Sequence, residues 1–366
     1  MADWKYSNFK IGDLVIKAPI VQGGMGVGIS LSSLASAVSN EGGVGVISAA
    51  GIGMLFPERG IDLMQANINA LKSEIRKARS ISKGVLGVNI MVALSNFGEM
   101  VKAAVEENID IIFAGAGLPL SLPGFLSKES KTKLVPIVSS AKAVNVIAKW
   151  WNEKYQYVPD AFVVEGPMAG GHLGFTEEQL ENPAFSLEKL VPEVLGETKK
   201  LEEKINRKIP VIAAGGIFTG ADIARFTQIG ASAVQMATRF VATEECDASD
   251  EFKNAYVRCE KDDIKIIKSP VGMPGRAIVN DYIRQMQNGE KMPVSCPYHC
   301  IKTCRQDQSP YCICLALINA CKGHLINGFA FTGANGYRVR EITTVKKLMD
   351  DLHREYTDYT KNGESL

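Results

Sequence analysis

Eight short apolar runs, separated by stretches of helical patterning, constrain the fold of this chain more than any other feature. They cover Lys17–Gln22, Val44–Ala49, Leu86–Val92, Asp110–Ala114, Leu134–Ser139, Ala161–Glu165, Pro210–Ala214 and Ala233–Ala237. Most are rich in β-branched residues and lack polar alternation, the pattern of parallel strands buried on both faces. Between them, Met64, Ile68, Leu71 and Ile75 recur at i, i+4, i+7 and i+11, one apolar stripe on a charged helix. Ala141, Val144, Ala148 and Trp151 repeat the stripe, and Leu34 and Val38 begin it before Gly42. Eight strands alternating with helices over residues 1–240 predict a (β/α)8 TIM barrel. A doubly wound open sheet gives the same alternation. The count of eight favours the barrel, as do glycine-rich clusters after several strands and not only the first.

After Phe240 the rhythm stops. Residues 241–366 are expected to form a cap or extension over one barrel face. They hold charged helical pieces, the turn-rich Ser269–Arg276, a cysteine-rich segment at 296–321 and a final helix around Thr344–Tyr356. Of the 366 residues, 46% are hydrophobic and 22% charged, which suits a sizeable core. Forty-one basic residues nearly balance 40 acidic ones, so no overall field points to nucleic acid or a membrane surface, and small molecules are the expected partners. The polar start, Met1–Ser7, lacks the apolar core of a signal peptide, and no run approaches the ~18–20 residues of a membrane span. A cytoplasmic protein is expected, and a homodimer is compatible with the pattern.

In a barrel, function sits in the loops after the strands. Gln22-Gly-Gly-Met-Gly-Val-Gly28 follows the first strand. Its glycines would let backbone approach a flat or anionic ligand, or would simply make a tight turn. Asn89 interrupts an apolar strand and needs hydrogen-bond partners, from a ligand or from the protein. Glu165-Gly-Pro-Met-Ala-Gly-Gly-His172 follows the sixth strand. A histidine behind two glycines at a strand end can reach over a ligand, and its ordinary pKa suits acid–base work. Gly215 and Gly216 follow the seventh strand and precede a helix over Ala221–Gln228, and Gln235-Met-Ala-Thr238 closes the eighth. Loops seven and eight form the usual phosphate site of this fold, with Gly216, Ala237 and Thr238 as natural donors.

Taken in order, Gln-Gly-Gly-Met-Gly, Gly-Val-Asn-Ile, Gly-Gly-His-Leu-Gly, Pro-Val-Ile-Ala-Ala-Gly-Gly-Ile and Val-Gln-Met-Ala-Thr-Arg-Phe resemble the nitronate monooxygenase (2-nitropropane dioxygenase) family. The resemblance covers roughly residues 10–280. That family includes FMN-dependent type II enoyl-acyl-carrier-protein reductases and certain NAD(P)H:quinone reductases. The resemblance implies FMN across the barrel mouth, with Gln22, Gly23, Gly24 and Met25 along the ring. It implies Asn89, Glu165 and Gly170, with the neighbouring Gly171, against the ring or ribityl chain. Gly215, Gly216, Gln235, Met236, Ala237 and Thr238 would hold the phosphate. The family's histidine matches His172, near the substrate and flavin N5. Two positions depart from the family pattern: Glu165, where Gln is common, and Met168, where Glu is common.

The implied reaction is oxidation of an alkyl nitronate. The alternative is reduction of an enoyl thioester or quinone by NAD(P)H, and a non-catalytic flavin- or metal-binding role is a third reading. Six cysteines fall within 296–321, with Cys296, Cys300 and Cys304 at a spacing that would share one helical face. Buried free thiols are the expected reading, and a metal or iron–sulfur site and a redox disulfide are the others.

Overall fold

An antiparallel hairpin of β1 (Phe9–Ile11) and β2 (Leu14–Ile16) precedes the barrel in the computed structural model, which describes residues 4, 9–56, 60–290, 296 and 299–363. Apart from Trp4, the segment 1–7 read for a leader lies outside the described residues. Eight parallel strands follow: β3 (Ile20–Gln22), β4 (Gly45–Ser48), β5 (Leu86–Met91), β6 (Ile111–Gly115), β7 (Lys133–Val138) and β8 (Phe162–Glu165), then, after the two-residue β9 (Gly171–His172), β10 (Val211–Ala214) and β11 (Ala233–Met236). Each coincides with a predicted run. The first is shorter than expected because Pro19 has no N–H to give a ladder, although its carbonyl accepts from the Val234 N–H at 2.9 Å.

The sheet closes. Val21 pairs with Val44, the Gln22 N–H donates to Val44 O and the Val44 N–H to Ile20 O, both at 2.9 Å. Closure leaves no open edge and removes the doubly wound alternative. Val21, Val46, Phe113, Val135, Val163 and Ile212 pack inside the barrel. Phe9, Ile11 and Ile16 from the hairpin are buried in the same cluster, and sequence reasoning missed them. Each such side chain contributes about 1.5–3 kcal/mol of burial free energy.

Outside, the predicted stripes meet the strands. On the helix Leu63–Ile81, Leu71 and Ile75 are buried while Met64 is exposed, so the stripe begins one turn late. The helix Ala141–Tyr155 starts where the Ser140 side chain accepts from the Ala143 N–H and stops at Gln156 in the left-handed region. Its Trp151 is fully buried, with the indole N–H donating to Pro119 O at 3.0 Å. Between β6 and β7 only a 3₁₀ turn, Leu122–Phe125, replaces the expected helix, in a segment where Pro119 and Pro123 lack N–H donors.

The helix Val345–Gly363 lies against the helices Gly220–Ile229 and Ser32–Asn40, in the place of the barrel's eighth helix. The approach is close: a Cβ on Gly220 would fall 2.1 Å from Leu352 O, and the Gly220 N–H donates to the Glu355 carboxylate at 2.7 Å. The chain between β11 and this helix makes an antiparallel pair, β12 (Ile264–Lys268) with β13 (Pro274–Ile278), and β13 also pairs with β9 beyond the end of β8. Asp247 ties the start of this insertion to the barrel by accepting from the Leu31 N–H (2.7 Å) and the Leu34 N–H (3.2 Å) at the head of a helix. Burial pushes its carboxyl up to about 6. No helix among the described residues is long and apolar enough to cross a membrane.

Candidate active site

The strand ends and the insertion enclose a cavity of ≈ 300 Å3, at the small end of ligand pockets. Gly23, Gly24 and Met25 line it from the loop after β3, and Asn89 from β5. Glu165, Gly170, Gly171 and His172 enter from β8 and the loop beyond it. Gly215 and Gly216 follow β10, and Gln235, Met236, Ala237 and Thr238 follow from β11. The structure thus brings together every predicted site residue except Gln22. That side chain is fully buried, with its amide spent on Gly23 O (2.5 Å) and the Val46 N–H (2.9 Å). It fixes the turn whose glycines face the cavity.

The glycines are required where they stand. A Cβ on Gly24 would lie 2.3 Å from the Asn89 Cβ. Gly215 and Gly216 sit at φ +96 and +88, where other residues are strained. The helix after them is fixed by Thr219, which accepts from the Asp222 N–H, while Asp222 accepts from Thr219 N–H at 2.9 Å. Asn89 lines the cavity, and its side chain makes no hydrogen bond to another described residue.

His172 is placed by β9. It pairs with Gly275 of β13, and its ring Nε2 is 2.7 Å from Ser269 Oγ. Phe331 meets the ring edge-on at 5.0 Å between centroids. Burial pulls the His172 pKa down to about 4, so the imidazole is neutral at pH 7 and either donates to or accepts from Ser269 according to its tautomer. Burial acts the opposite way on Glu165, pushing its carboxyl up to about 7. At neutral pH His172 is therefore uncharged and Glu165 about half ionised.

Several residues that sequence reasoning missed hold the site. The Arg276 guanidinium donates to Pro167 O (2.7 Å) and Ala169 O (2.5 Å), pinning the loop that carries His172. Asn335 donates to Gly216 O at 2.6 Å, and the Tyr256 hydroxyl donates to Phe331 O. Ile301, Ile313, Cys314, Leu317 and Phe331 complete the wall. None of these carries a local motif. The predicted helical face of Cys296, Cys300 and Cys304 does not form among the described residues. His299 adopts φ +43, which breaks a right-handed helix, and Cys300 and Cys304 lie in irregular chain before the helix Ile313–Cys321. Pro297 and Tyr298, within that stretch, lie outside the described residues. All eight cysteines are free thiols, and no group of three or more His, Cys, Asp or Glu among the described residues is placed to hold a metal ion.

Residues 7–355 match the family model described as nitronate monooxygenase. The chain is 28% identical to a probable nitronate monooxygenase of Staphylococcus saprophyticus, over 77% of this chain and 81% of that protein. It is 27% identical to (3aS,4S,5R,7aS)-5-hydroxy-7a-methyl-1-oxo-octahydro-1H-indene-4-carboxyl-CoA dehydrogenase of Mycobacterium tuberculosis, over 75% of this chain and 67% of that one. Among solved structures, FabK from Thermotoga maritima superposes with a TM-score of 0.72 at 27% identity, covering 96% of each chain.

Proposed function

As the chain belongs to the nitronate monooxygenase family and is thereby an oxidoreductase, we propose that it binds FMN and oxidises alkyl nitronates, with His172 near the substrate and flavin N5. The observation that carries this reading is one cavity whose wall holds a neutral, half-buried histidine together with the glycine loops after β3, β8 and β10. Those loops support a cofactor: Gly24 packs against Asn89, and Gly215 and Gly216 hold positive φ, so bare backbone lines the cavity at all three. Gly23 to Met25 and Asn89 would lie along the ring, and Gly216, Ala237 and Thr238 would hold the phosphate. When bound, FMN supplies the electron acceptor.

The protein's own part is binding and positioning. A nitronate has already lost its α-proton, so no strong base is needed, and an imidazole with a pKa near 4 is a poor one. His172 instead offers a ring N–H to the substrate oxygens, and an arriving anion would raise its pKa toward the ordinary range. Ser269 holds the other ring edge, and Phe331 excludes water from that side. A half-protonated Glu165 sets about half the negative charge of an ordinary carboxylate beside the anion.

A second reading is NAD(P)H-driven reduction of an enoyl thioester or a quinone. It is favoured by the likeness to FabK and to a relative whose name places it on a CoA-linked substrate. Anaerobic mixing of the purified protein with each reductant, followed by flavin absorbance, separates the two. Bleaching by an alkyl nitronate and not by NAD(P)H is expected, and the reverse would refute the nitronate reading. His172→Ala should keep FMN and lose most turnover. Loss of FMN in that variant would make His172 a structural residue.

A further inference from the structure

The six cysteines between 296 and 321 have no part in the proposed reaction, yet one of them lines its cavity. Cys314 begins the helix Ile313–Cys321, is buried, and packs so closely on the loop after β4 that a Cβ on Gly51 would lie 3.2 Å from its Sγ. Cys300 lies on a strap, residues 299–302, stitched to the loop after β5. The Ser95 N–H donates to Cys300 O at 3.1 Å, the Lys302 N–H donates to Ala93 O at 2.9 Å, and Leu94 pairs with Ile301. The two thiols share an apolar cluster between strap and helix with Val27, Met54, Leu55, Cys312, Leu317 and Ile318.

We propose that Cys300 and Cys314 are a thiol-oxidation site in the cavity wall, at which Cys300 reacts with a small-molecule disulfide and Cys314 resolves the product to an internal disulfide. The steps balance. The Cys300 thiolate attacks one sulfur of the reagent and expels one thiolate, giving a mixed disulfide. Cys314 then loses its proton, attacks the Cys300 sulfur and expels the second thiolate. Two cysteines are oxidised by two electrons, the reagent is reduced to two thiols, and the protons leave with them.

Of the other six cysteines, Cys296 is in neither that apolar cluster nor the cavity wall, and the remaining five are poor candidates for the attack. Burial raises the thiol pKa of Cys246 and Cys259 to about 12 and that of Cys321 to about 11, and Cys304 and Cys312 are raised as well. Cys300 is pulled down to about 7 because the hydrogen bond from Cys314 outweighs burial. Ile301 and Leu317, neighbours of the pair, line the same cavity, so oxidation would tie the strap to the helix across the substrate's surroundings. The proposal does not depend on which substrate the cavity takes.

The test uses the flavin-loaded protein and oxidised glutathione, with non-reducing peptide mapping as the readout. Two of the eight thiols should be lost, with one Cys300–Cys314 linkage. Cys312→Ser should give the same linkage. Cys314→Ser should stop at a stable glutathione adduct on Cys300, and Cys300→Ser should lose neither thiol. At pH 7 a thiol of pKa near 7 is about 50-fold more ionised than one at 9.0, and its lower nucleophilicity returns about eightfold of that. Alkylation of Cys300 by iodoacetamide should therefore slow at least about sixfold in Cys314→Ala, where no donor replaces the thiol and burial still raises the pKa. A linkage through Cys296, Cys304 or Cys312, no loss of thiols, or stoichiometric iron or zinc shielding these thiols from alkylation would overturn the proposal.

Discussion

Glu165→Gln isolates the electrostatic cost of placing a carboxyl at the bottom of the cavity. In the unfolded chain this carboxyl ionises near 4.5, whereas burial raises it to about 7 in the fold. Between those values the folded protein holds a proton that the unfolded chain has released, so stability falls as pH rises, and the cost from this group is complete above the folded pKa. The span, about 7 − 4.5, times 1.36 kcal/mol per unit gives a loss of roughly 3 kcal/mol by pH 8. His172 works in the opposite sense. The unfolded ring takes a proton near 6.5 and the folded one near 4, so stability rises with pH across that window by a similar amount. From about pH 4.5 to 6.5 the two slopes oppose each other, and these groups leave the wild-type profile nearly flat. Glutamine removes one of them. Urea unfolding of the flavin-free protein should find the variant no more stable than wild type through this term at pH 4.5, and about 3 kcal/mol more stable at pH 8. A stability difference that stays constant from pH 4.5 to 8 would refute a carboxyl pKa raised by burial.

Two other substitutions probe the site's geometry. Ser269→Ala removes the partner 2.7 Å from His172 Nε2, a bond worth about 1 kcal/mol net, so kcat/KM should fall roughly five- to tenfold while flavin titration finds FMN affinity unchanged; equal turnover would mean that Ser269 does not position the ring. Gly24→Ala sets a methyl 2.3 Å from the Asn89 Cβ, and relief by about 1–3 kcal/mol of backbone movement should weaken FMN binding about 5- to 150-fold in a fluorescence titration. Unchanged affinity would remove this loop from the cradle.

The barrel was legible because its signals are local. A β-branched run buried on both faces looks the same wherever it sits, and a glycine cluster at its end marks where backbone must bend or be approached. Val211–Ala214 with Gly215 and Gly216 is both signals in succession. The hairpin plug was not legible, since Phe9–Ile11 and Leu14–Ile16 are three residues each and too short for a period to register. Cys300 and Cys304 carried a helical spacing, but a left-handed His299 and the bridge from Ile301 to Leu94 override it. Gln22 sat in the right motif and was read as facing a ligand. Only the position of Val46 on the neighbouring strand decides where its amide points.

The same distinction separates cofactor from substrate in this molecule. The residues proposed to cradle FMN stand in the short loops after the strands, so their sequence signature is compact. What faces His172 comes from the insertion: Ser269 is 97 residues away along the chain, and Phe331 lies beyond the cysteine segment. Burial, which keeps the imidazole neutral, is therefore imposed partly by residues outside the motif that carries the histidine. Two chains with identical barrel loops and different insertions would hold the same histidine at different pKa values and before different substrates. The Gly-Gly-His segment thus marks a cavity histidine, while its proton affinity depends in part on Ser269 and Phe331 of the insertion.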